Sequence, residues 1–458
     1  MTYKRYEEYK SSEIDWVNEI PKYWGVSKIK YIKSKEKNSF VDGPFGSNLK
    51  SEHFKEDGEV YVIESNFATR GILNFEQLKK IKSSHFESIK RSEAKKGDII
   101  IAKIGEYYGL SNILPYIDKK AVISGNSLKL TVDSKKILNE YLHYQLLELK
   151  RNGTINLLSN STAQPALSLG GMNTIKIVLP NIEEQKKIVE FLKIRISEIN
   201  TLIKEKEKLI ELLKEKREVI VTEYVTKGID KNIEMKDSGV DWIGKIPFDW
   251  NVTKLKYIAD SEKYSIVDGP FGSDMKNEEY VDDGVPIIQL NNIGDGVHKF
   301  NNIKYITEEK AEALKRHMIY PGDIVIAKMM PAGRATIVSD KFNKYIVSSD
   351  SIRLKINNRS NHEFIMYCLN AYGRIQAELN SNGSTRSRIN LSIIKNTKIA
   401  ICDKEEQERI IKHLNKKLSC IDNLINENSS IISKLEEYKN ALISEVVTGK
   451  IDVRNYEE

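Results

Sequence analysis

Two long stretches of the chain carry the same pattern of apolar and charged positions. From about 181 to 226, and again 222 residues later from about 403 to 448, apolar residues recur at alternating steps of three and four. This spacing predicts two coiled-coil helices, each about 65 Å long. Each stretch starts with an N-cap side chain (Asn181 or Asp403) followed three residues later by Glu184 or Glu406. We expect the cap and the Glu to satisfy each other's backbone amides.

The regions ahead of the two helices read as mixed α and β structure. Short apolar or β-branched runs bounded by Gly, Asp and Asn predict strands, and two longer stretches have helical spacing. The predicted strands are 60–64, 99–103, 121–124 and 128–132 in the first half and 285–290, 324–328, 345–348 and 352–356 in the second; the predicted helices are 137–149 and 363–379.

The two halves also share four phrases in the same order. Asp-Trp followed by Ile-Pro at 15–21 returns at 241–247, and all four tryptophans of the chain, Trp16, Trp24, Trp242 and Trp250, fall into this register. Val-Asp-Gly-Pro-Phe-Gly-Ser at 41–47 returns unchanged at 267–273. Gly-Asp-Ile-x-Ile-Ala-Lys at 97–103 returns at 322–328, and Ser-x-x-Leu at 127–130 returns at 351–354. The chain is therefore one module-plus-helix unit used twice.

This repeat predicts an α+β chain with two similar mixed α/β modules joined by two long helices. The second helix must return to pair with the first, so we expect an antiparallel coiled coil with one module at each end and a pseudo-twofold relation between the halves. The expected segments are module one at 1–180, helix one at 181–228, a linker at 229–237, module two at 238–402, helix two at 403–450 and a C-terminal tail at 451–458.

Between the shared phrases the two modules diverge. Residues 64–90 have little in common with their counterpart, and neither do 107–111 and 331–335. A common scaffold with different inserts favours two modules that do the same kind of task on different targets. Neutral drift after duplication is the alternative.

Composition and charge narrow the class of protein. No apolar run approaches the ~20 residues of a membrane span, and the N-terminus lacks an apolar signal core. Cys368, Cys402 and Cys420 lie outside any Cys-x-x-Cys pair, so we expect a cytoplasmic protein with neither disulfides nor zinc. The formal net charge of +7 is a mild basic excess that permits a nucleic-acid partner.

The shared phrases, together with Glu-Glu-Gln at 183–185 and 405–407, resemble the specificity subunit of type I restriction-modification systems over nearly the whole chain. The resemblance implies two target recognition domains, each reading one half of a split site in double-stranded DNA. It also implies that the two helices dock two modification subunits, which methylate adenine, and through them restriction subunits. S-adenosylmethionine would then bind the modification subunits, ATP and Mg the restriction subunits, and no cofactor this chain.

The geometry of DNA adds an expectation about the spacer. Two modules related by a twofold meet equivalent groove surfaces at about whole-turn separations, roughly 10 base pairs or a multiple. We therefore expect a bipartite site whose unread spacer is set by the length of the paired helices.

Candidate DNA contacts lie in the repeated loop, on basic side chains and in a polar stretch ahead of each long helix. The loop lacks the Lys of a phosphate loop; it either brings backbone amides and a Ser hydroxyl against DNA phosphate or is only a tight turn. Arg and Gln side chains make bidentate contacts to guanine and adenine, and basic side chains neutralise phosphates; solvated surface is the alternative for each. The loop candidates are Gly43, Phe45, Ser47, Gly269, Phe271 and Ser273, the base-reading candidates Gln164, Arg386 and Arg388, and the phosphate candidates Lys50, Arg70, Lys103, Lys276, Lys328 and Arg334.

Polar residues of the long helices form a second set of candidates. Those that interrupt the apolar seam are expected to fix the register of an antiparallel pair; the alternative is that they receive acidic side chains from a partner subunit. Those at the helix starts owe any docking role to the resemblance alone. The seam residues are Lys206, Arg217, Asn428 and Lys439, and the helix-start residues are Glu184, Gln185, Glu406 and Gln407.

Sequence signatures of catalysis are missing. The chain has no Asn/Asp-Pro-Pro-Tyr/Phe loop of an adenine methyltransferase, no Gly-x-x-x-x-Gly-Lys-Ser/Thr loop and no His-Glu-x-x-His. We therefore expect a non-catalytic DNA-recognition subunit of a methyltransferase and restriction endonuclease complex. The alternative function is a stand-alone regulator that binds a bipartite DNA site.

Overall fold

A computed structural model describes residues 3–159, 165–271, 274–379 and 388–456. The chain divides into two compact units. The first comprises residues 1–206 together with 430–458, and the second comprises residues 207–429. Each unit thus contains one module, part of the first long helix and part of the second.

The first unit consists of short strands and short helices followed by a long helix. Its strands are β1 (Tyr9–Ile14), β2 (Val17–Pro21), β3 (Gly25–Lys28), β4 (Phe40–Asp42), β5 (Val60–Ile63), β6 (Lys80–Ile81), β7 (Glu93–Ala94), β8 (Ile99–Ala102), β9 (Ser111–Ile113), β10 (Ala121–Ile123), β11 (Ser127–Leu130) and β12 (Lys176–Leu179). Its helices are α1 (Ile29–Ile32), α2 (Ser65–Arg70), α3 (Ser83–Ile89), α4 (Asn139–Arg151), α5 (Leu169–Thr174) and the first part of α6 (Ile182–Lys227).

The second unit repeats this order of strands, with a 3-10 turn at Leu290–Asn292 in the place of α2 and two helices in the place of α4. Its strands are β13 (Met235–Asp237), β14 (Lys245–Pro247), β15 (Asn251–Lys254), β16 (Ile266–Asp268), β17 (Val285–Ile288), β18 (Lys304–Ile306), β19 (Met318–Ile319), β20 (Ile324–Ala327), β21 (Ala335–Ile337), β22 (Tyr345–Val347), β23 (Ser351–Leu354) and β24 (Lys398–Ile401). Its helices are α7 (Leu255–Ile258), α8 (Glu308–Ala313), α9 (His362–Cys368), α10 (Arg374–Leu379), α11 (Leu391–Asn396) and the first part of α12 (Lys404–Val447).

The sheets of the two units have the same topology. The first unit has four-stranded sheets ordered β4-β11-β8-β9 and β6-β5-β10-β7, and the second has β16-β23-β20-β21 and β18-β17-β22-β19. In each unit one pair is parallel, β5 with β10 and β17 with β22. The eight predicted strands are confirmed to within two residues at their ends, because each is a fully buried run between polar turns.

Two expectations about connections need correction. The end of the expected linker at 229–237 is strand β13, which pairs antiparallel with β14 and so opens the second module. The expected helix at 363–379 is interrupted, since a π-helical turn at Leu369–Gly373 separates α9 from α10. Neither the short polar strand nor the change of helical pitch leaves a periodic signal in the sequence.

The long helices pack antiparallel within each unit. In the first unit Ile199 and Ile203 of α6 share an apolar core with Leu442 and Val446 of α12. In the second unit the later part of α6 shares a core with the early part of α12, where Tyr224 joins residues such as Leu414 and Leu418. The expected antiparallel pairing is thus present in both units.

Cross-helix polar pairs give both units the same register. Lys439 Nζ donates to Asn200 Oδ1 at 3.1 Å in the first unit, and Arg217 Nε donates to Asp422 Oδ1 at 3.0 Å in the second. Adding 222 to Asn200 and Arg217 gives Asp422 and Lys439, so these are equivalent positions of the repeat. Asn428 behaves differently, because its amide donates back to Leu424 O of its own helix.

The C-terminal segment belongs to the first unit. Ile451 and Val453 are buried in the same core as Trp24, and the Asp452 N–H donates to Lys4 O at 2.9 Å. The expected tail is therefore part of the packed structure as far as the structure describes it.

A buried ion pair links the Gly-Asp phrase to the neighbouring strand in each unit. Asp323 accepts from Arg353 Nε at 2.8 Å, and both side chains are almost fully buried. The carboxylate also accepts from the Tyr320 N–H, which closes the turn ahead of β20. Burial raises the pKa of Asp323, and the Arg353 guanidinium opposes this shift. In the first unit Asp98 and Lys129 occupy the same positions, with the nearest atoms 4.0 Å apart.

Removing one partner of the closer pair should destabilise the second unit. We expect Arg353→Met to lower the free energy of unfolding by roughly 3–5 kcal/mol, because it leaves the Asp323 carboxylate buried without its counter-ion. The measurement is urea unfolding, with hydrogen exchange of β20 and β23 to assign the loss to this unit. The double variant Asp323→Leu with Arg353→Met is the control, since removal of both charges should restore most of the stability. The prediction is wrong if Arg353→Met and the wild-type chain have the same urea midpoint of unfolding.

Candidate nucleic-acid interface

The repeated loop, residues 43–47 and 269–273, starts with a glycine that leaves no room for a side chain. The Gly43 N–H donates to Ser127 O at 3.0 Å, and a Cβ on Gly43 would lie 1.9 Å from Ser124 O. Gly269 is held in the same way, and its Cβ would lie 2.0 Å from Ser348 O. Because the sheet uses these amides, they do not face phosphate, and at both glycines the structure supports the tight turn.

A carboxylate and a lysine hold the base of the repeated loop. Lys103 Nζ lies 3.4 Å from Asp42 Oδ2, and Lys328 Nζ lies 3.2 Å from Asp268 Oδ2. Lys328 also donates to Ser349 O at 2.9 Å and is only 7% exposed. The expectation that Lys328 contacts phosphate needs correction, because its ammonium group is buried and engaged inside the unit. The expectation for Lys103, which is partly exposed, stays a prediction.

A third partner of the loop aspartates was missed at the level of sequence. Arg91 Nη2 donates to Asp42 Oδ1 at 2.8 Å, and at the equivalent position of the second unit His317 Nδ1 lies 2.6 Å from Asp268 O. The two residues differ in type and lie outside the four shared phrases. The sequence relates Arg91 to His317 only if the offset of 226 residues is applied outside the shared phrases as well.

The tip of the repeated loop faces solvent. Phe45 is 66% exposed and Phe271 is 76% exposed, although burial of a phenylalanine is normally favourable. Ser47 and Lys50 are also exposed, as is Lys276 on the second loop. An exposed aromatic ring with a basic residue nearby, present identically in both units, fits contact with a nucleic acid better than it fits a structural role.

The segment ahead of each long helix lies beside the end of β8 in the first unit and beside the end of β20 in the second. The Leu167 N–H donates to Lys103 O at 2.9 Å, and the Ile389 N–H donates to Lys328 O at 3.0 Å. Arg388 is therefore next to the loop of the second unit, where it pairs with Asp350 at 2.9 Å. The other predicted residues of these segments, Gln164 and Arg386, lie outside the described residues, as does Ser273 of the loop.

A cleft of about 490 Å³ opens beside the loop of the second unit. Arg334 lines it and donates through Nη2 to Leu290 O at 2.9 Å. Burial lowers the pKa of the Arg334 guanidinium, which remains charged at neutral pH. In the first unit Arg70 is exposed at the end of α2, and no contact links it to the loop among the described residues. The cleft is lined by Pro270, Phe271, Met275, Tyr280, Gln289, Leu290, Asn291, Met330, Arg334, Ser348, Ser349 and Asp350.

The glutamines at the helix starts attach each module to its helix. Gln185 Oε1 accepts from the Leu138 N–H at 2.8 Å, and its amide donates to Lys136 O. Gln407 Oε1 accepts from the Asn361 N–H at 2.8 Å. Both side chains are completely buried. The docking role implied for them is therefore corrected: they are internal clamps, inaccessible to a partner subunit.

The glutamates before them form only half of the expected capping box. The Glu184 N–H donates to Asn181 Oδ1 at 2.9 Å, as a cap requires, but the Glu184 carboxylate accepts from Tyr6 Oη at 2.8 Å. Glu406 likewise donates its N–H to Asp403, while its carboxylate pairs with Arg409. In both cases the Glu carboxylate contacts another side chain and does not accept from the N-cap backbone amide.

Within the described ranges, no group of three or more His, Cys, Asp or Glu side chains is placed to hold a metal ion. No helix there combines the length and apolar character that crossing a membrane requires.

The chain is similar to known proteins over most of its length. The family model for the type I restriction modification DNA specificity domain matches residues 44–212 and 247–437. The chain is 26% identical over 454 residues to the type I restriction enzyme MjaVIII specificity subunit of Methanocaldococcus jannaschii, covering 95% of both chains. It is 26% identical over 460 residues to the putative type I restriction enzyme MjaX specificity subunit of the same organism, covering 98% of this chain and 97% of the relative.

A solved structure shows the same fold. It is a chain from a structural study of complex assembly and conformational transition of the type I R-M system, with a TM-score of 0.68 and 16% identity. The match covers 94% of this chain and 99% of that chain. The predicted architecture of two similar modules with two long helices is therefore confirmed.

The two glycines of the first loop provide a matched test of the loop frame. We expect Gly43→Ala to destabilise the first unit by roughly 1–3 kcal/mol, because the new Cβ would overlap the Ser124 carbonyl. Gly46→Ala is the control: its Cβ would meet no atom within 4 Å, so stability should change by less than about 0.5 kcal/mol. Urea unfolding of the purified chain measures both. Equal effects of the two substitutions would show that the backbone contact of Gly43 does not hold the loop.

Proposed function

This chain belongs to the family of the type I restriction modification DNA specificity domain, and from that premise we propose that it selects the DNA sequence for a type I restriction-modification complex in the cytoplasm. Each module reads one half of a bipartite site, and the paired helices set the spacer between the halves. The family assignment confirms the expectation that the chain supplies DNA specificity and not catalysis. The reactions belong to the subunits that it recruits.

One observation carries the proposal. The chain contains the same module twice, with the same sheet order and the same glycine and aspartate contacts at the base of an exposed loop. The Phe at the loop tip and the Lys five residues after it are exposed in both modules. A duplicated surface of this kind fits a split DNA site. Such a site presents the same phosphate backbone to both modules and a different base sequence to each.

The exposed loop residues suit contacts that are independent of sequence. Lys50 and Lys276 are five residues beyond the loop phenylalanine at equivalent positions, and both side chains are exposed to solvent, where they can neutralise phosphate. Phe45 and Phe271 can stack on a base or enter a base step, which does not depend on which base is present. These four residues therefore position a module on DNA, and the residues that differ between modules read the sequence.

The exposed faces of the long helices fit a docking role for partner subunits. Several large apolar side chains on both helices are more than a third exposed although the apolar seam between the helices is packed, and a partner subunit would bury them. We infer that two modification subunits, which carry S-adenosylmethionine, bind here, and that restriction subunits, with ATP and Mg, join through them. The exposed apolar residues are Leu202, Leu209, Leu212, Val219, Leu424 and Tyr438.

Exchange of one module should change one half of the target. We expect replacement of residues 238–402 by the second module of another family member to alter one half-site and to leave the other half and the spacer unchanged. The readout is a map of methylated adenines after co-expression with the modification subunit. Exchange of the first module is the reciprocal control. A change in both halves would mean that the modules do not read independently.

Lengthening the paired helices should lengthen the spacer. We propose to insert four residues into α6 within 205–216 and four into α12 between Asp422 and Lys439, which leaves the two cross-helix polar pairs intact. Four helical residues add about 6 Å, so we expect a spacer about two base pairs longer. The same insertion within residues 229–234 is the control and should leave the spacer unchanged. An unchanged spacer in the helix variant would show that the helices do not measure it.

A further inference from the structure

We propose that the cleft beside the loop of the second module reads a guanine through Arg334, and that this side chain sets one position of that half-site. The inference rests on the proposed function and adds a residue and a base to it. A guanidinium matches the O6 and N7 acceptors on the major-groove edge of guanine, which makes Arg with guanine the most frequent specific contact between proteins and DNA.

The cleft has the position and contents that this contact requires. Its rim includes the exposed Phe271 and Asn291, so a duplex held by the loop would present its edge to the opening. The Leu290 carbonyl holds one nitrogen of Arg334 at 2.9 Å. The Nε of Arg334 is shielded from solvent and has no hydrogen-bond partner within the described part of the chain. The guanidinium is thus oriented by one acceptor and keeps N–H groups that the described residues do not satisfy.

Arg334 is the cation among the residues that line the cleft, and Asp350 is the anion. Lys328 is engaged by Asp268, and the carboxylate of Asp350 is engaged by Arg388 at 2.9 Å. Burial lowers the pKa of Arg334, so its charge is less well solvated than that of a surface arginine. A base edge that supplies two acceptors would compensate this cost, whereas an apolar or donor edge would leave it uncompensated.

Some residues that line the cleft are the same in both modules, and we call these the frame of the cleft; others differ between the modules. The frame is the same: Pro270, Asn291 and Ser348 correspond to Pro44, Asn66 and Ser124. The residue directly before β21 is Arg334, whereas Leu110 directly precedes β9.

Other positions around the same cleft also differ. Gln289 after β17 corresponds to Glu64 after β5, and Asp350 before β23 corresponds to Asn126 before β11. Leu290 corresponds to Ser65 in the same way, so at least four changes of charge or polarity lie at one cleft that keeps Pro270, Asn291 and Ser348. This distribution fits a surface on which each module selects a different base.

The test uses the chain assembled with its modification subunit and a map of methylated sites in a random-sequence library. We expect the wild-type complex to require guanine at one position of the half-site read by the second module. Arg334→Leu, which introduces the residue of the first module, should lower the preference for guanine there by roughly 5- to 150-fold and leave every other position unchanged. Arg334→Lys should also lose the preference, because Lys keeps the charge without the planar fork. Arg359→Leu, at an exposed arginine of the same unit outside the cleft, is the control and should keep the motif.

Each outcome has a defined meaning. Loss of guanine selectivity in both Arg334 variants, with the other half-site intact, supports the proposal. An unchanged motif, or a uniform fall in methylation with the guanine requirement kept, overturns it, and the second result would make Arg334 a phosphate contact. If thermal unfolding shows that Arg334→Leu does not fold, Arg334→Lys decides. If the wild-type complex methylates no bipartite motif, the proposed function itself fails.

Discussion

The apolar core of each module includes side chains from both long helices. In the first unit Trp24 and Tyr141 of the module share one core with Leu192 of α6 and Val446 of α12. In the second unit Trp250 shares a core with residues of the same two helices. Because burial of such side chains is the main favourable term in folding, the helices are structural parts of the modules and not tethers between them. The buried Gln185 and Gln407 add hydrogen bonds that fix each module on the helix that follows it.

This attachment explains how a recognition surface can change while the scaffold persists. The loop is held by backbone contacts of Gly43 and Gly269 and by the aspartate and lysine at its base, which are the same in both modules. The further partner of the aspartate is Arg91 in one module and His317 in the other. Side chains at the cleft can therefore change without cost to the sheet beneath. A module built in this way separates the residues that hold its shape from the residues that meet its ligand.

The sequence predicted the parts of the fold that repeat with a period. The a/d spacing placed α6 and α12 to within one residue at each end, and fully buried runs located the strands. The site was predicted less well, because the direction of a side chain depends on tertiary contacts. The sequence around Lys328 is typical of a surface lysine. In the fold its Nζ lies 3.2 Å from Oδ2 of Asp268, a residue 60 positions earlier in the chain. Gln185 reads as a polar helix-start residue until Leu138 and Lys136 surround it. The cleft around Arg334 is assembled from four separate turns and leaves no local signature.

The split composition of the first unit has a consequence for synthesis on the ribosome. The second unit is a continuous segment, 207–429, so its core is complete once that segment has emerged. The first unit needs residues 430–458 to complete its core, although its own module is translated first. The N-terminal module must therefore wait, with part of its apolar surface uncovered, until the last helix arrives, and the chain reverses the usual order in which domains fold as they are made.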